Sequence, residues 1–161
     1  MPTFTQTPSP QGEQPLAEAL RGVHDAWVRE ARSFLEPAMM PAADFWTRWA
    51  VARYLDDEFR DRYDLERGLL AELRPFIAPA TAERVAREGD RVFLLRLELD
   101  RLGRRRGTAA EVAEGARHLL DQLVLWLAEV EQAAAGLTRD SLAPEGAELL
   151  AHLEASRSTA T

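Results

Sequence analysis

Apolar residues recur at steps of three and four along nearly the whole chain, the spacing that lines one face of an α-helix. Pro15 opens a first predicted helix, running to about Glu36, with Leu16, Leu20, Val23, Trp27 and Phe34 on its apolar stripe. Pro37 and Pro41 in "EPAMMP" break it. A second helix is predicted from about Ala43 to Arg74, carrying Phe45, Trp49, Ala52, Phe59, Leu69 and Leu73, and Pro75 stops it. The third starts near Thr81 and carries Val85, Val92, Leu95, Leu99 and Leu102. In "LGRRRGTAAE", Gly103 or Gly107 closes that helix, and the arginines at 104–106 suit its C-terminal end and a solvated turn. Thr108 followed by Glu111 forms a capping box for a fourth helix with Val112, Ala116, Leu119, Leu123, Trp126, Val130 and Ala133, ending at Gly136. A last short helix opens near Ser141 with Pro144 in its first turn.

Nowhere does a period of two persist, so no sheet is expected. Short connectors between long amphipathic helices imply antiparallel neighbours, and the fold class is all-α: an up-down antiparallel four-helix bundle with a short C-terminal fifth helix. The stripes are wider than a coiled-coil seam and are interrupted by prolines, which favours a compact bundle. The bundle is expected over 15–155, between disordered tails at 1–14 and 156–161.

Composition narrows the function. The chain has 161 residues and a net charge of −7, which argues against a general affinity for nucleic acid. All 20 basic residues other than histidine are arginine, which favours fixed bidentate pairs with carboxylates. The absence of cysteine excludes disulfides, thiolate metal sites and cysteine nucleophiles. No apolar run approaches the roughly 20 residues of a membrane span, and the N-terminal residues lack the pattern of a secretory signal, so no membrane partner and a cytoplasmic location are expected. Ser33 and Ser141 have no evident histidine partner, and no nucleophile–base pair is visible. Trp27, Trp46, Trp49 and Trp126 are expected in the core, with Trp46 and Trp49, three apart, also able to line a pocket or a dimer face.

The polar exception is "EFRDRYDLERGLLAELRP" (58–75). On a helix, Phe59, Arg62, Glu66, Leu69 and Leu73 share one face, so an arginine and a glutamate sit where core residues belong. The layout resembles hemerythrin-like (HHE) domains, four-helix bundles with a short C-terminal helix. Their pattern is a histidine on helix one, His-x-x-x-Glu on helix two, a histidine on helix three and a second His-x-x-x-Glu on helix four. Residues four apart lie above one another, so an imidazole and a carboxylate reach the same pair of irons. "RGVHDAW" places His24 as that pattern requires on helix one, and Glu66 fits the second-helix carboxylate, but Arg62 stands at its histidine position. "LELDRL" puts Leu99, and "LWLAEVEQAA" Trp126 or Leu125, where histidines would be; Glu129 fits the last carboxylate in the Leu125 register.

The resemblance spans roughly residues 16–155 and is one of architecture, with the ligand motifs mostly lost. It implies a central polar site of Arg62, Glu66, His24, Glu98 and Glu129, in which Arg62 neutralises Glu66 or a carboxylate on a neighbouring helix. Leu99 and Trp126 fill the volume that ligands would occupy. His118 and His152 lie away from the expected centre. No metal and no cofactor are expected, because a guanidinium repels a divalent cation. The alternative is non-haem iron on His24, Glu66 and Glu129, with Glu30 and Glu98 as conceivable further carboxylates, in a protein that senses or handles oxygen, nitric oxide or iron. The preferred expectation is a non-catalytic module that binds a protein partner, a second copy of itself or a small apolar ligand.

Overall fold

The computed structural model describes residues 13–41, 43–105 and 107–158. Most of each predicted tail (1–12 and 159–161), and Arg106 of the arginine run, lie outside the described residues. Among the described residues the fold is made of six helices: α1 (Leu16–Ala38), α2 (Phe45–Asp56), α3 (Glu58–Leu73), α4 (Pro79–Arg104), α5 (Ala109–Ala133) and α6 (Pro144–Ser158). Single turns of 3-10 helix cover Arg74–Phe76 and Arg139–Ser141. Among the described residues there is no strand, only an isolated bridge between Pro15 and Thr138. None of the helices is long and apolar enough to cross a membrane.

The predicted capping signals largely hold. Thr108 accepts from the Glu111 amide and Glu111 returns a bond to the Thr108 amide, the reciprocal box that fixes the start of α5. Gly107 closes the turn before it, donating to Leu102 O. The start of α4 falls two residues before Thr81, at Pro79, whose missing N–H costs nothing in a first turn. α6 continues to Ser158, past the predicted end of the bundle at 155.

One predicted helix is two. The second stripe breaks at Asp57, with no proline or glycine to account for it. A side chain from another helix reaches into the gap in the helical ladder. Arg96, buried on α4, donates from Nη1 to Leu55 O at 3.1 Å, taking a carbonyl that helix continuation would use internally. Asp56 sits 3.9 Å from the same guanidinium.

α4 packs on α5, α1 on α5, and α2 on α4, while α6 lies on α3 and against α1. Trp126 on α5 donates to Val85 O on α4 at 3.1 Å, and Leu99 meets Gly115, so these two helices run in opposite directions. The Trp27 ring packs tilted against Phe59 at 5.4 Å and edge-on against Trp126 at 6.3 Å, joining α1, α3 and α5 around one aromatic centre. Gly89 makes room for it: a Cβ there would stand 3.0 Å from the Trp126 ring.

Two of the four tryptophans are not core. Trp27 and Trp126 are fully buried, but Trp46 is 70% and Trp49 45% exposed, with Phe45 beside them at 60%. α2 buries Val51, Ala52, Tyr54 and Leu55 instead; its first turn projects beyond the core, and its aromatics pack edge-on against one another.

Candidate functional site

The mixed face of α3 turns inward as its spacing requires. Phe59, Arg62, Glu66, Leu69 and Leu73 are all buried, joined by Tyr63. Charges in that position are tolerable only if other charges or dipoles meet them. Two sets of partners do so.

His24 of α1 supplies the first. Its Nε2 lies 2.8 Å from Glu66 Oε1, and its Nδ1 lies 3.0 Å from Glu131 Oε1 on α5. Because both ring nitrogens face carboxylates, the imidazole is best satisfied as a cation donating twice. Burial opposes that charge, but the Glu66 carboxylate and the hydrogen bonds to Glu131 and Glu66 outweigh it and raise the pKa from 6.5 to about 9. Arg21 approaches the outer edge of Glu131 at 3.8 Å.

Arg62 supplies the second. It does not pair with Glu66, one turn along its own helix, but reaches across to Glu30 on α1. Nε donates to Glu30 Oε1 at 3.2 Å and Nη2 to Glu30 Oε2, a two-pronged contact that suits a planar guanidinium. Nη2 also donates to Ser156 O on α6 at 3.1 Å, tying the last helix to the site. Nη1 of Arg62 and Oε2 of Glu66, a donor and an acceptor one turn apart, remain buried without hydrogen-bond partners. Tyr54 lies beside Glu30 and Arg62; burial and the Glu30 carboxylate push its hydroxyl pKa well above the ordinary range.

The structure therefore brings together His24, Arg62 and Glu66, together with Glu30. It does not bring in Glu98 or Glu129. Glu98 is half-exposed and pairs with Arg101 one turn along its own helix. Glu129 faces α4, where its Oε2 accepts from Arg84 Nε at 2.8 Å near the surface. The carboxylate that α5 sends to the centre is Glu131, two positions further on, because the face of α5 that meets α1 runs through Leu127. Leu99 and Trp126 are both fully buried; Leu99 packs at the level of Gly115 on α5, and Trp126 lies between Gly89, Tyr63 and Trp27. His118 is exposed against Glu114, and His152 is exposed on α6.

Could these groups hold a metal? Among the described residues no three His, Asp or Glu side chains converge as ligands. Glu66 and Glu131 lie on opposite edges of the His24 ring, so one ion cannot use both and a ring nitrogen. Glu30, the remaining carboxylate, is held by a guanidinium that cannot be deprotonated. The donor set does not fit a transition-metal pair.

Arg96, Glu131 and Tyr54 belong to the polar interior and escape the sequence reading. Arg96 has a legible signal, four after the core position Val92 and three before Leu99; its partner, a backbone carbonyl, has none. No family model, no curated protein and no solved structure matches the chain.

Proposed function

We propose that this chain is a divergent hemerythrin-like protein, an up-down four-helix bundle in which α2 and α3 together form the second member and α6 is the added C-terminal helix. Ion pairs have taken the place of its metal centre, and it works as a non-catalytic binding or interaction module. One observation carries the reading: the charges at the middle of the bundle are matched by one another. Imidazolium at His24 answers Glu66 and Glu131, and Arg62 answers Glu30. An ion entering there would have to displace a proton held by two carboxylates and sit beside a fixed positive charge. His24 has carboxylates on both ring nitrogens, so neither nitrogen is left to activate a nucleophile. The exposed cluster of Phe45, Trp46 and Trp49 supplies a surface suited to a protein partner or a second copy.

Metal analysis after gel filtration, with and without anaerobic incubation in ferrous iron, tests this. The expected result is iron far below one per chain and no visible absorption band after exposure to air. Near-stoichiometric iron that survives the column overturns the proposal.

A further inference from the structure

A groove lined by none of the central charged residues lies where the end of α3 and the turn after it meet the start of α4. Leu70, Ala71 and Ile77 form its sides, and Val85, itself 1% exposed, forms part of its floor. The free space is about 140 Å³, close to the roughly 150 Å³ apolar cavity that accepts benzene in an engineered protein. Two arginines, Arg67 and Arg74, line it, and no acidic residue does. That is an unusual balance on a chain with a net charge of −7. Arg67 is committed: it donates to Asp90 at 2.9 Å and lies over the Tyr63 ring at 5.9 Å. Arg74 is not. Its side chain makes no hydrogen bond or ion pair among the described residues, although it stands at the mouth of an apolar recess.

We propose that this groove binds a small apolar carboxylate of about the size of benzoate, with the ring against Leu70, Ile77 and Val85 and the carboxylate at Arg74. The recess has room for one ring and little more. A planar guanidinium at its mouth matches a carboxylate in shape and charge, and would repel an amine of the same size. This deepens the ligand-binding half of the proposed function. It is separable from the bundle centre: iron uptake there would leave the groove standing, and a groove that ignores benzoate would leave the central ion pairs standing.

Amide-resolved NMR titration of the full chain with sodium benzoate, benzyl alcohol and benzylamine tests it. The expected result is benzoate-dependent shifts confined to the amides of residues 67–86. A charged hydrogen bond should make benzyl alcohol about tenfold weaker, and benzylamine weaker still. Arg74→Gln, on an exposed side chain and so safe for the fold, should weaken benzoate about tenfold while leaving benzyl alcohol unchanged. No shift in this region, equal binding of benzoate and benzyl alcohol, or an Arg74→Gln variant that binds benzoate normally overturns the proposal.

Discussion

At Arg62 a permanent charge sits on a helix face that is otherwise core, 5% exposed. That position was legible because the apolar stripe on either side of it fixes which way the side chain points. Its partner was not, because the choice between Glu66 on the same helix and Glu30 across the bundle depends on how far α1 is rotated, which a stripe defines only to within a turn. The same uncertainty explains Glu129 and Glu131, two residues apart on α5, of which only the second reaches His24. The pairing makes a specific forecast. Arg62→Ala leaves the Glu30 carboxylate without its cation and should cost about 3–5 kcal/mol in urea unfolding, as the loss of one member of a buried pair does. Replacing both partners, as Arg62→Met with Glu30→Leu, should recover most of that loss. A single variant that loses under about 1 kcal/mol would mark Arg62 as a solvated surface charge.

Among the elements, α1, α4 and α5 follow their apolar periods closely, α5 also its cap, and the second stripe does not. In "YLDDEF" the paired aspartates are weak helix formers that favour caps, but with no proline or glycine beside them they do not by themselves end a helix. At the break a tertiary contact takes over, an arginine from another helix that donates to Leu55 O. Arg96→Met keeps much of the buried stem and removes the donor. It should cost about 1–3 kcal/mol, the price of a buried acceptor left unmade. Hydrogen exchange should show the loss as faster opening at residues 55–60, with α5 little changed. Unchanged exchange at that break would mean that Arg96 merely fills space. Phe45, Trp46 and Trp49 went astray for a related reason: their spacing is helical, but an apolar stripe does not say where the neighbouring helix ends.

Taken as one object, the molecule is an all-α bundle whose interior carries both signs of charge. The pH behaviour of its stability follows from His24. Its folded pKa is raised to about 9 from an ordinary 6.5, so its contribution is fully present below about pH 6.5 and is lost as pH rises through about 9. The shift corresponds to something on the order of 3 kcal/mol. His24→Gln, which cannot carry the charge, should flatten the fall in stability over that window.

The most direct measurement is the NMR titration of the His24 ring nitrogens in the folded protein, with and without zinc as a diamagnetic stand-in for iron. An imidazole held between Glu66 and Glu131 should stay protonated on both nitrogens at neutral pH, lose its proton only near pH 9, and ignore the metal. A ring that titrates in the ordinary range, or that gives up its proton at neutral pH when zinc is added, would contradict the exchange of a metal centre for ion pairs.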